Sequence, residues 1–150
     1  SATGLANQGR FVMRYLLDTN ICIYIIKQRP INVIKQLKAQ SVDDVAVSSI
    51  TLAELEYGAA KSSRPTQNRE ALLAFMTPLR ICSFDDHAAL HYGAIRAELE
   101  RKGMLIGPMD MLIAAHARSL SLTLVTNNMR EFRRVPDLKL ADWTIEKHKA

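Results

Sequence analysis

Short apolar runs alternate with amphipathic stretches along the chain, a pattern that predicts strands followed by helices. Tyr15, Leu16 and Leu17 form an apolar run that stops abruptly at Asp18-Thr19-Asn20, as a buried strand does when it delivers polar residues at its carboxyl end. Ile21–Ile26 continues as an apolar helix, and Pro30 opens a second over 31–40, with Val33, Ile34 and Leu37 on one stripe. Val45–Val47 is the next strand. Thr51 and Glu54 have the spacing of a capping box, which predicts a helix that begins there and stops at Gly58. Arg64-Pro65 breaks the chain before a helix over 67–76, and Ile81-Cys82 makes a third strand. Asp85 or Asp86 caps a long helix to Lys102, whose apolar positions are Ala89, Tyr92, Ile95, Ala97 and Leu99, and Gly103 ends it. Gly107-Pro108 starts a helix over 109–119 that is apolar almost all round, which implies burial on several sides. Leu122, Leu124 and Val125 give the fourth strand, and 138–140 a fifth. Strands alternating with helices predict an α/β fold: three layers, α/β/α, around a mainly parallel sheet of four to five strands.

Composition narrows the class. The 150 residues suit one domain, and 48% apolar with 23% charged residues excludes wholesale disorder. No apolar run reaches the roughly 18 residues that span a bilayer. Residues 1–12 (SATGLANQGRFV) carry no periodicity, so they read as an expression-tag remnant ahead of a domain over 13–150. The formal net charge of +5 leans toward a polyanionic partner without deciding it. Cys22 and Cys82 have no CxxC neighbour, so they read as buried free thiols of a reducing compartment, the cytoplasm.

The acids fall at the predicted strand ends, where open parallel sheets bind ligands. Asp18 follows the first strand and Glu54 lies in the first turn after the second. Asp110 opens the apolar helix, and Glu131 follows the fourth strand. Each has a plain structural alternative: Glu54 as a capping partner, Asp110 as a complement to the helix dipole, Glu131 as a surface acid between Arg130 and Arg133. Asp18 resists that treatment, because an acid ending a buried strand must be desolvated or functional. His87 and His91, four apart, lack a third metal ligand and read as surface or packing residues. His116 reads as a core histidine with a satisfied hydrogen bond, and Trp143 as the residue closing the core.

At Leu17-Asp18-Thr19-Asn20 and Ser49-Ile50-Thr51-Leu52-Ala53-Glu54-Leu55-Glu56-Tyr57-Gly58 the chain resembles PIN-domain ribonucleases. Gly107-Pro108-Met109-Asp110 leading into Ile113-Ala114-Ala115-His116-Ala117 is similar to the third block of that family. Leu124-Val125-Thr126-Asn127-Asn128 with Arg130-Glu131-Phe132 is similar to the fourth. Within the family it looks most like the VapC toxins of bacterial toxin–antitoxin pairs, with the blocks in order from Met13 to about Trp143.

The resemblance implies a Mg²⁺- or Mn²⁺-dependent endoribonuclease with Asp18, Glu54, Asp110 and Glu131 as its acids. Asp18 and Asp110 would hold the main ion, and Glu54 and Glu131 would complete the site or position the attacking water. Thr19, Asn20, Thr126 and Asn128 match polar positions that orient acids or waters. One departure is that Glu131 stands where many PIN domains carry Asp. The resemblance further implies a VapB-type antitoxin whose tail lies in the crevice and offers it a basic residue, a homodimer, and RNA, first of all tRNA, as substrate. Arg130, Arg133, Arg134 and Lys139 would grip RNA phosphates beside the crevice, and Arg14, Lys27, Arg29 and Lys35 would add charge near the first helices. The apolar Ile23, Ile25, Ile26 and Ile34 are compatible with a dimer interface, although core packing accounts for most of them. Two other readings compete. One is a catalytically inactive PIN-like RNA-binding module. The other, a haloacid-dehalogenase-like phosphatase, wants a second Asp where this chain has Asn20.

Overall fold

Asp18 ends the first strand and caps the first helix, a junction that sets the pattern for the rest of the chain. The computed structural model describes residues 13–146, so the expected tag remnant, 1–12, lies outside the described residues. In order, the elements are β1 (Tyr15–Leu17), α1 (Thr19–Lys27), α2 (Ile31–Lys38), a 3₁₀ turn (Val42–Asp44), β2 (Val45–Ser48), α3 (Ser49–Lys61) and α4 (Pro65–Met76). There follow β3 (Arg80–Cys82), α5 (Asp86–Arg101), α6 (Pro108–Ser119), β4 (Thr123–Val125), α7 (Met129–Phe132) and β5 (Leu140–Ala141). The five strands form one sheet in the order β3-β2-β1-β4-β5, and every pairing is parallel.

Side-chain alternation along these short strands makes the three layers. Leu16, Ala46 and Leu124 point to one face, where they meet Ile95 and Leu99 of α5, Met111, Ile113 and Ala114 of α6, and Phe132 of α7. Leu17, Val45, Val47 and Val125 point to the other, against Ile21, Cys22 and Ile25 of α1, Val33 of α2, Leu55 of α3, and Leu72 and Met76 of α4. Each fully buried Leu, Ile or Val contributes about 1.5–3 kcal/mol of transfer free energy. Trp143 closes the second face, its ring edge-on to Tyr15 at 5.3 Å. Ile23, Ile26 and Ile34 pack half-buried against this same core, and Ile25 is buried within it.

Several local expectations are corrected. Helix α3 starts at Ser49 because Ser48 Oγ accepts the Ile50 N–H at 3.0 Å, so Thr51 and Glu54 form no capping box. It also runs through Gly58 to Lys61. A mid-helix glycine costs about 1 kcal/mol, which the burial of Leu55 and Ala59 on either side of it outweighs. On α5 the buried stripe is Ala88, Ile95 and Leu99, and the expected Ala89 and Ala97 are exposed. Gly103 does end that helix, with φ +64. Helix α7 was not anticipated, since four residues are too few to show a helical period. Cys82 is only half-buried because β3 is an edge strand. Among the described residues no helix is long and apolar enough to cross a membrane.

Candidate active site

The chain leaves β1 toward β2 and β3 on one side and later returns to the other side with β4 and β5. The order therefore reverses between β1 and β4, and the crevice beyond their carboxyl ends is where such sheets bind ligands. Asp18 leaves β1 into it and Thr126 leaves β4 into it. Asp18 is almost fully buried, at 4% exposure. Its Oδ1 accepts the Ile21 N–H at 2.9 Å as the N-cap of α1. The Thr126 hydroxyl accepts the Asn128 N–H at 2.9 Å and, beside Asp18, favours its ionised form.

These hydrogen bonds favour the ionised acid, yet they do not win. Burial raises the Asp18 carboxyl from 3.8 to about 6, with further upward pushes from the charges of Asp110 and Glu54. Asp110 is also raised, first by burial and then by the charges of Glu131 and Glu54. Two carboxylates 4 Å apart at an effective dielectric of 20 repel by about 4 kcal/mol. The four predicted acids thus share one electrostatic neighbourhood. Among the described residues no three of them close on a single point to make a finished metal cage.

Each acid owes its place to a local device. Glu54 lies half-buried on α3, where the Thr19 hydroxyl donates to its Oε1 at 2.6 Å and lies 3.3 Å from Thr51 Oγ1. Glu131 sits on α7, and the Asn128 amide donates to its Oε2 at 3.1 Å. Asp110 is in the first turn of α6, behind Pro108 at the helix start. A Cβ added to Gly107 would meet Asp110 Oδ2 at 3.5 Å, so the chain passes close to this carboxylate. Among the described residues Glu54 makes no capping bond and Glu131 no salt bridge.

Not every residue singled out in the sequence belongs here. Thr19, Thr126 and Asn128 touch the acids, whereas Asn20 is solvent-exposed on α1. Arg130 and Arg133 are exposed on and just after α7, beside Glu131. Arg134 is half-buried and donates to the Leu105 carbonyl at 3.0 Å, tying the end of α7 to the α5–α6 connection. Lys139 and Arg14 precede β5 and β1, so parallel pairing puts both at the amino ends of the strands, away from the crevice. Arg14 stacks over the Tyr15 ring at 5.3 Å. His91 accepts a hydrogen bond from Arg118 at 2.9 Å, a packing role, and His87 is exposed. Thr51 is the member that sequence reasoning missed: its hydroxyl is fully buried beside Thr19, and its spacing from Glu54 had suggested a cap.

Comparison with known proteins gives a consistent picture. The model of the PIN domain matches residues 15–138. The chain is 46% identical over 132 residues to Ribonuclease VapC2 of Rickettsia felis, covering 87% of this chain and 98% of that one. It is 44% identical over 132 residues to the tRNA(fMet)-specific endonuclease VapC of Salmonella typhimurium, covering 88% and 99%. Among solved structures, a chain of the DNA-bound VapBC from Salmonella typhimurium superposes with a TM-score of 0.83 at 44% identity, covering 87% of this chain and 98% of that one.

Proposed function

This chain belongs to the PIN-domain family, and from that premise we propose that it is a VapC-type toxin, a divalent-metal-dependent endoribonuclease that cleaves tRNA. One observation carries the reading: Asp18, Glu54 and Asp110, from three distant segments, lie close enough at the strand switch point for the charge of Glu54 to push up both aspartates and that of Asp110 to push up Asp18. Such a cluster of hard oxygen donors suits Mg²⁺ or Mn²⁺, whereas Zn²⁺ would favour His and Cys. Asp18 and Asp110 are the ligands proposed for the ion. Once bound, a divalent cation supplies charge neutralisation at the phosphate and a lowered pKa for water.

The chain's own groups supply the rest. Thr19 occupies Oε1 of Glu54, which leaves Oε2 to orient a water and accept its proton. Asn128 likewise holds Oε2 of Glu131 and leaves Oε1 free, so the longer Glu at this position can serve through water. Thr126 keeps one oxygen environment of Asp18 fixed. Arg130 and Arg133 lie exposed next to Glu131, suitably placed to grip backbone phosphates. The substrate named for the Salmonella relative makes tRNA the first candidate, and that chemistry belongs in the cytoplasm.

The same reading includes a VapB-type antitoxin. The Salmonella structure holds VapB with VapC, and this chain has an apolar groove of about 320 Å³ beside the acids, lined by Ile23 and Ile26 of α1, Leu55 of α3 and Leu72 of α4, with Glu54 on its rim. An apolar antitoxin segment fits the groove, and a basic side chain at its end would neutralise the acids.

The test is incubation of purified protein with total RNA, with and without Mg²⁺ or Mn²⁺, followed by mapping of new 5′ ends. Ion-dependent ends confined to tRNA are expected. RNA binding without cleavage in either ion would mean an inactive binding module instead.

A further inference from the structure

His116 lies on the apolar helix α6 and is 1% exposed, yet it finds a polar partner there. Its Nδ1 is 2.8 Å from Ser48 Oγ. Ser48 Oγ already accepts the Ile50 N–H, so its single proton is free for Nδ1. The neutral imidazole protonated at Nε2 accepts that proton. Burial lowers the His116 pKa against the opposing pull of Asp85, which keeps that neutral form. The Phe84 ring meets the imidazole edge-on at 5.5 Å, and the Phe84 N–H donates to Ser49 Oγ at 3.0 Å.

Three segments are thereby tied at one ring: the β2–α3 junction, the β3–α5 connection and α6. Two of them lead to the acids. Glu54 is six residues beyond Ser48 on α3, and Asp110 is six residues before His116 on α6. A buried apolar side chain of the same volume would fill this layer equally well and leave no polar group to satisfy. The imidazole adds a fixed register between the two helices.

We propose that His116 is a positioning residue for the acidic site, its bond to Ser48 and its packing on Phe84 setting where α3 presents Glu54 relative to where α6 presents Asp110. This rests on the nuclease reading for its consequence in catalysis, although the interlock itself is a property of the fold.

The experiment compares the full-length protein with His116→Phe, which keeps an aromatic ring and removes the bond to Ser48, and His116→Asn, whose carbonyl oxygen can accept the Ser48 hydroxyl in place of Nδ1. Displacing reacting groups by about 1 Å can cost on the order of 100-fold in rate. For His116→Phe, kcat on RNA falls by about that factor with KM unchanged, and Mn²⁺ affinity falls roughly tenfold. His116→Asn recovers most of both. A third readout needs neither metal nor RNA: amide exchange at Ile50 accelerates in His116→Phe, because Ser48 loses the partner that orients its hydroxyl. Folded His116→Phe with wild-type kcat, Mn²⁺ affinity and Ile50 exchange overturns the proposal. Should that variant fail to fold, Ser48→Ala takes its place, with the same losses of kcat and Mn²⁺ affinity expected and the same wild-type values fatal. Should the wild-type protein fail to cleave RNA or bind Mn²⁺, the nuclease reading falls, and Ile50 exchange in His116→Phe still decides the interlock.

Discussion

Removing a charge from the site should make the metal-free protein more stable. The folded protein raises the Asp18 carboxyl from 3.8 to about 6, chiefly by burying it. A carboxyl raised on folding keeps its proton between pH 4 and 6, where the unfolded chain has already lost it. Stability therefore falls as pH rises through that window and stays low above it. The gap between 3.8 and about 6 corresponds to about 3 kcal/mol at 1.36 kcal/mol per pH unit. At 4% exposure Asp18 has little solvent to screen it.

Asp18→Asn removes this term while keeping the shape. The amide oxygen can still accept the Ile21 N–H, and Asn caps helices as well as Asp does. Chemical unfolding in EDTA at pH 8 should find the variant more stable by about 2–3 kcal/mol. At about 2–4 °C per kcal/mol, its Tm should rise on the order of 10 °C. At pH 4 the difference should shrink toward zero. Adding Mn²⁺ at about 100 times its Kd stabilises the wild type by about 2.7 kcal/mol and should close most of the gap. The variant should not cut RNA under any condition. An Asp18→Asn protein less stable than wild type at pH 8 in EDTA, or a gap independent of pH, would refute the argument that Asp18 is held at a cost for the sake of a cation.

Other residues give independent checks. Thr19→Val deletes the 2.6 Å hydrogen bond to Glu54, so kcat should fall on the order of tenfold with a stability loss of about 1 kcal/mol, read by single-turnover cleavage and urea unfolding. Arg130→Ala and Arg133→Ala should each reduce the slope of log K against log salt for tRNA binding by about 1, while unfolding midpoints stay put. Gly103→Ala places a side chain at φ +64 and should cost about 1 kcal/mol in unfolding free energy with cleavage unchanged.

How much of this was legible beforehand depends on whether the signal was local. Leu16 and Leu17 announced a buried strand because both faces of β1 are covered, and only the folded sheet reveals that these neighbours belong to opposite cores. Asp18 could be flagged because an acid at the end of such a strand is expensive wherever the chain goes next. Glu54 was singled out beside a capping box that the structure does not form. Its partner is not Thr51 three residues away on the same helix but Thr19, 35 residues away on α1, a contact that exists only once β1 and β2 pair in parallel. Lys139 and Arg14 failed for the mirror-image reason. Sequence order put Lys139 after the fourth strand, near Glu131, but a parallel neighbour starts where its partner starts, so the residue preceding β5 belongs at the far end of the sheet. The topology thus sorts charges by which end of a strand they flank. Acids that follow strands gather in the crevice, and bases that precede strands are sent away from it. On this argument the site's unneutralised negative charge is a product of strand direction. A cation or a partner's basic residue is what that arrangement leaves room to supply.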